Sequence, residues 1–119
     1  MFFWDSYAII EYLQDSSAYA LYFEEKGIFT LLNILEVYYS VLNEKGREAA
    51  NEVLDVLYPL KVEPTKDEIR KAMAFKAEKK KLKVSYADCL GYCVARERGM
   101  KFLTGDNAFK ELENVEFVK

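Results

Sequence analysis

The chain has 119 residues, 51% hydrophobic and 15% aromatic, which is enough apolar material for one domain with a packed core and too much for a disordered chain. It contains no histidine, which excludes Ser-His-Asp and Cys-His catalysis and most histidine-based zinc hydrolases. The formal net charge of −3 argues only weakly against a nucleic-acid partner, because acids gathered around a divalent cation no longer act as net negative charge.

Short apolar runs alternate with stretches of helical periodicity. Residues 2–4 read as a buried strand, and residues 7–13 as a helix that Asp5 or Ser6 can cap. A short helix is expected over 17–26, stopped by Gly27, then a second strand over 28–30. Residues 33–44 predict a long apolar helix ending near Gly46, and residues 47–57 another, with Ala49, Ala50, Val53, Leu54 and Leu57 at helical spacing. Tyr58 and Pro59 break it, and a third strand is expected over 60–62, closed by Pro64. Thr65 opens a basic helix to about residue 81, and Ser85 opens one that runs to Arg98 and stops at Gly99. A fourth strand follows over 101–103, a short helix over 107–112, and a last strand over 115–117.

Strands separated by helices imply βαβ units and an α/β fold with a mainly parallel sheet covered on both faces. No repeat or linker divides the chain, so a single domain over 1–119 is expected. The apolar start is broken at once by Asp5, and no run approaches the roughly 20 residues of a spanning helix, so a cytoplasmic protein is expected. Cys89 and Cys93 share one helix face but lack the further soft ligands zinc needs, and read as buried thiols of a reducing compartment.

Most acids lie in charged stretches such as Glu24-Glu25, but four do not. Asp5, Glu36 and Asp88 are lone charges in apolar runs, and Asp106 follows Phe102-Leu103-Thr104-Gly105. Burying an unpaired carboxylate is costly, so such groups take a partner, a proton or a metal. The strand C-termini of a parallel sheet share one edge, where open α/β proteins bind ligands. Asp5 and Asp106 are expected there, with Glu36 and Asp88 in first turns of helices, so all four can face one crevice. Capping offers another account. Asn33-x-x-Glu36 and Ser85-x-x-Asp88 have capping-box spacing, as does Thr65-x-x-Glu68, and Asp5 and Asp106 can be plain N-caps.

At these residues the sequence resembles a PIN domain, and most closely the small prokaryotic ribonuclease toxins of the VapC type. The resemblance runs through Phe3-Trp4-Asp5-Ser6-Tyr7, Asn33-Ile34-Leu35-Glu36-Val37, Ser85-Tyr86-Ala87-Asp88 with Ala95 beyond, and Phe102-Leu103-Thr104-Gly105-Asp106-Asn107-Ala108-Phe109. Each piece is a weak motif; the ordered set is fairly specific. Tyr7 stands where many relatives carry Asn, a departure that leaves the carboxylates intact. The resemblance implies a three-layer α/β/α sandwich that binds Mg²⁺ or Mn²⁺ and cuts RNA. It also implies a homodimer, silenced by a cognate VapB-type antitoxin whose tail enters the acidic groove.

Hard divalent ions suit a sparse set of carboxylates, and phosphodiester cleavage on them needs no histidine. Asp5 and Asp88 are then expected to be the principal metal ligands. Glu36 is expected to bind directly or through water and to orient the attacking water, and Asp106 to complete the site or support a second ion. Ser6 and Thr104 are candidates to hold water or the carboxylates.

The stretch before Asp88 is basic, with Arg70, Lys71, Lys76, Lys79, Lys80, Lys81 and Lys83, and Arg96 and Arg98 lie beyond it. Lys79, Lys80, Lys81 and Arg96 are the candidates to position RNA phosphates; a solvated helix face is the competing account. Tyr38, Tyr39 and Tyr92 on apolar helices fit base stacking, a dimer face or plain core packing. Two other functions compete. A receiver or haloacid-dehalogenase-type phosphatase wants a paired acid or Asp-x-Asp near its first strand, which Asp5-Ser6-Tyr7 does not supply. A non-catalytic PIN-like module that only binds RNA or protein has no need to keep all four acids.

Overall fold

The structure, a computed structural model, describes residues 1–119. Four short strands, β1 (Phe2–Trp4), β2 (Gly27–Ile28), β3 (Lys101–Thr104) and β4 (Val115–Phe117), form one sheet in the order β2-β1-β3-β4. Every pairing is parallel, with Phe3 opposite Ile28 on one side and Phe102 on the other. A parallel sheet needs helical crossovers, and six helices supply them: α1 (Ser6–Leu13), α2 (Ser17–Ala20), α3 (Leu31–Lys45), α4 (Arg47–Leu57), α5 (Lys66–Glu78) and α6 (Tyr86–Glu97).

Alternation along β1 sends its side chains to opposite faces. Phe3 enters a core with Phe102, Tyr92, Phe75 and the buried face of α6, while Trp4 packs against a second core built from Ile9, Phe29, Ile34 and Val37. The sheet therefore has α5 and α6 on one face and α1, α3 and α4 on the other, an α/β/α sandwich. No helix is long and apolar enough to cross a membrane.

Local chemistry sets most helix starts. The Thr65 hydroxyl accepts from the Glu68 N–H and Glu68 accepts from the Thr65 N–H, and Ser85 and Asp88 do the same for α6. Gly46 (φ 91°), outside the range a side chain favours, separates α3 from α4.

Several predicted elements differ. The third strand, expected over 60–62, does not form. Residues 58–60 make a 3₁₀ turn, Leu60 is 59% exposed, and only the Val62 N–H reaches Phe29 O (2.9 Å). Pro59 and Pro64 flank the segment and cannot donate, so no ladder is sustained. The second strand stops at Ile28 because Thr30 turns out to cap α3, which begins at Leu31 rather than residue 33. The helix expected over 17–26 is helical only to Ala20 and tightens into 3₁₀ over Leu21–Phe23. Three tertiary anchors hold it so: Tyr19 donates to Val118 O, Tyr22 to Glu116, and Phe23 stacks on Trp4. The basic helix ends at Glu78, before a 3₁₀ turn over Lys80–Leu82, and the helix expected over 107–112 is a 3₁₀ turn over Asn107–Phe109.

Candidate active site

Asp5 leaves β1 at its C-terminal end, Asp106 follows the end of β3, and α3 and α6 start at the same edge, bringing Glu36 and Asp88 with them. Asp5 is 1% exposed; the other three acids are half-buried. Asp5 caps α1 by accepting from the Ser6 N–H (2.9 Å), and its other oxygen accepts from the Thr104 hydroxyl (2.6 Å). The Ser6 hydroxyl donates to Glu36 Oε1 (2.6 Å) and accepts from Asn33 Nδ2 (2.9 Å). Asn33 Oδ1 accepts from both the N–H and the hydroxyl of Thr30. Thr104 Oγ1 also accepts from the Asp106 N–H, and Asp106 accepts from the Ala108 N–H. Gly105 between them has no room for a side chain: a Cβ there lies 2.4 Å from Val118 O.

The acids feel one another. Burial pushes the Asp5 carboxyl up to about 8, the Asp88 and Glu36 charges push the same way, and the Thr104 and Ser6 hydrogen bonds oppose them. Asp88 is raised by burial and by Asp106, against the pull of Ser85. Glu36 is raised by burial and by Asp88, with Ser6 opposing. No ion pair in the protein involves any of the four. Their only close donors are neutral hydroxyl and amide groups, which cannot cancel the charge. The acids lie near enough to raise one another's carboxyls, but no three acidic or thiol groups are arranged to hold a metal ion; each carboxylate is turned to a local donor. The donor set is all oxygen, the choice of a hard divalent cation that keeps several of its waters.

Capping and clustering are thus the same fact seen twice, since Asp5, Asp88 and Asp106 are caps and also neighbours. Glu36 is not the capping partner its spacing from Asn33 implies. Asn33 fills that place for Thr30, and its amide fixes Ser6, which in turn holds Glu36. The Thr30-x-x-Asn33 spacing directly after β2 was the available signal for this fully buried amide.

The basic candidates divide. Lys79 and Lys80 line a cavity of about 320 Å³ with Lys76, Lys83, Met73 and Tyr86, and Lys81 is exposed outside it. Arg96 lies over Tyr92 (5.3 Å) in a neighbouring groove that shares Lys79 with the first and also carries Glu78, Glu97, Glu111 and Glu113. Arg98 is committed to Glu68 (2.8 Å), and Lys71 to Glu97 (2.6 Å). Tyr92 belongs to the core, where its hydroxyl donates to Glu113 O; Tyr38 donates to Asn51, and Tyr39 is exposed. Cys89 and Cys93 are buried, unpaired thiols, both raised by burial, Cys89 to about 11.

Known proteins share this fold. Among solved structures, the chain is similar to the sarcin–ricin-loop-cleaving toxin VapC20 of Mycobacterium tuberculosis, with 17% identity, 100% of both chains covered and a TM-score of 0.77. It is also similar to a chain of a toxin–antitoxin complex from Klebsiella pneumoniae, with 13% identity, 98% of this chain and 96% of that one covered and a TM-score of 0.76. Both likenesses are likenesses of fold. No curated protein matches the chain. A PIN domain family model matches residues 2–115, from the strand that delivers Asp5 to the one beyond Asp106, and the chain belongs to the PIN domain family.

Proposed function

We propose that this chain is a divalent-metal-dependent endoribonuclease and the toxin of a type II toxin–antitoxin pair. The observation that carries the nuclease assignment is a set of four carboxylates at the C-terminal edge of a parallel sheet, three of them raised by burial and by one another's charge, and none paired with a lysine or arginine. Asp5 and Asp88 would hold Mg²⁺ or Mn²⁺, with Glu36 reaching it directly or through water and Asp106 completing the site. The bound ion supplies an activated water and charge relief on the phosphoryl oxygens.

The chain's own groups do the rest. The Ser6 hydroxyl occupies Glu36 Oε1 and leaves Oε2 to orient a water by accepting its hydrogen bond. Thr104 fixes Asp5 Oδ2 and, through its oxygen, the backbone of Asp106, so the two strand ends keep one spacing. RNA as substrate and a VapB-type antitoxin as partner draw support from VapC20, which cleaves the sarcin–ricin loop, and from the Klebsiella pneumoniae chain, which is part of a toxin–antitoxin complex. A homodimer acting in the cytoplasm completes the assignment.

The test is cleavage of a labelled RNA with Mg²⁺ or Mn²⁺ by Asp5→Asn and Asp88→Asn. Each is expected to lose at least about 100-fold in rate, the loss of several kcal/mol of charge stabilisation, with an unchanged circular dichroism spectrum. Full activity in both variants overturns the carboxylate mechanism. The absence of a closed ligand nest favours a second reading, a PIN module that binds without cutting. Calorimetric titration separates the two, since such a module takes up Mg²⁺ poorly.

A further inference from the structure

The corner between α5 and α6 is the most basic part of a chain whose net charge is −3. After α5 ends, a 3₁₀ turn and the left-handed residue Lys83 (φ 56°) reverse the chain within a few residues, and Ser85 then caps α6. Leu82 and Val84 anchor the corner in the core, so it is a built surface and not a loose loop. Lys76, Lys79, Lys80 and Lys83 line its cavity, and none of them is in an ion pair. The Lys76 ammonium donates to Val84 O (2.5 Å) and stands 4.9 Å from the centre of the Tyr86 ring. Like charges around one cavity repel; Lys79 also borders the groove that carries Glu78, Glu97, Glu111 and Glu113, while Lys76, Lys80 and Lys83 do not.

Tyr86 is the second unusual feature. It is 64% exposed in the first turn of α6, although the remainder of that helix is largely buried. It makes no hydrogen bond through its hydroxyl within the protein. A lysine stands over the ring, and most of its surface is open. It lies two positions before Asp88 in the first turn of α6, a spacing that turns the two side chains to different sides of the helix, so the ring stands at the carboxylates' sheet edge but around the helix from Asp88.

We propose that this cavity is a subsite for single-stranded RNA, with Tyr86 stacking one base and Lys79, Lys80 and Lys83 holding the phosphates on either side. The proposal rests on the nuclease reading for the identity of the polymer. An open aromatic face beside unpaired ammonium groups matches the alternation of flat base and charged phosphate along a single strand. An acidic polypeptide would use the lysines and leave the ring idle. Lys76 covers one face of the ring and leaves the other for a base.

The test uses the full chain carrying Asp5→Asn, expected to cut at least about 100-fold more slowly, with chelator present, and a short fluorescein-labelled single-stranded RNA read by anisotropy. Tyr86→Ala is expected to weaken binding about tenfold, and Tyr86→Phe to leave it unchanged, since stacking needs the ring and not the hydroxyl. The ring is exposed, so the melting temperature should not move in either variant. The triple variant Lys79→Gln, Lys80→Gln, Lys83→Gln is expected to flatten the plot of log Kd against log salt by about 2, roughly 0.7 for each phosphate contact on a single strand. Unchanged affinity in Tyr86→Ala, or an unchanged salt slope in the triple variant, overturns the subsite. Poly-glutamate that displaces the RNA equally well with and without the Tyr86→Ala substitution also overturns it, in favour of an acidic protein partner. Cleavage is read separately with Asp5 intact. Cutting with unaltered affinity in the variants sinks the subsite alone, whereas variant-sensitive binding without any cutting sinks the nuclease reading and keeps the subsite.

Discussion

At Asp5, burial and the charges of Asp88 and Glu36 act in the same direction and raise the carboxyl to about 8. A folded-state value above the unfolded one means that the native protein holds a proton the unfolded chain has released. Stability from this group is therefore full below about pH 4 and is lost as pH rises towards 8. Asp88 and Glu36, also raised, add to the same slope. Glu68, held low by Arg98, has the opposite sign and loses its contribution only at the acid end. The melting temperature of metal-free protein is thus expected to fall between pH 5 and pH 8, and Asp5→Asn to flatten that fall. A flat profile for the unmodified chain would contradict it. Thr104→Val removes the hydroxyl that serves both Asp5 and Asp106 and should cost about 1–3 kcal/mol in urea unfolding, more than a surface Thr→Val. Asp5, Glu36 and Asp88 were legible in the sequence because a charge inside an apolar run is conspicuous. Asn33 was not, because an amide near a helix start reads as a cap whether or not it also reaches a distant side chain.

α6 owes its position to a missing side chain. A Cβ on Gly91 would stand 2.5 Å from a ring carbon of Phe3 and 3.0 Å from one of Phe102, so the helix rides directly on β1 and β3. Alanine is the better helix former by about 1 kcal/mol, but both rings are fully buried and cannot swing away. Gly91→Ala is expected to destabilise by roughly 1–3 kcal/mol and, by lifting Asp88 off Asp5, to lower cleavage further than the stability loss explains. Chemical denaturation and single-turnover rates at a temperature where the variant is folded check this. The five long helices were legible from periodicity and caps, and so were the first and last strands, whereas residues 107–112 gave only a 3₁₀ turn. The strand expected over 60–62 failed because three apolar-looking residues state a preference, and prolines on both sides deny the hydrogen bonds that would realise it. The segment over 17–26 was read as one helix because its pattern ignores the anchors at Tyr19, Tyr22 and Phe23, whose partners lie close by only after folding.

For the whole molecule, the sheet order β2-β1-β3-β4 places the first strand beside the third and so joins segments far apart in the chain. The βα alternation made a parallel sheet legible; the order of its strands was not, since no local pattern encodes which strand lies beside which. If the proposed site takes a divalent cation, it does so in the folded state alone, and Mg²⁺ or Mn²⁺ should raise the melting temperature in proportion to the logarithm of its concentration. EDTA should reverse the gain, and Asp5→Asn or Asp88→Asn should abolish it. An equal rise in those variants would place the ion elsewhere.

The bond from Thr104 to Asp5 spans 99 positions of sequence, and the strand carrying Thr104 leaves the ribosome after Asp5, Glu36 and Asp88 have all emerged. A nascent chain halted before β3 holds at most three of the acids and lacks both the fourth and the hydroxyl that orients the first. If the chain is the ribonuclease proposed above, that wiring would make synthesis itself a safety catch, since the blade could be assembled only after translation has passed β3.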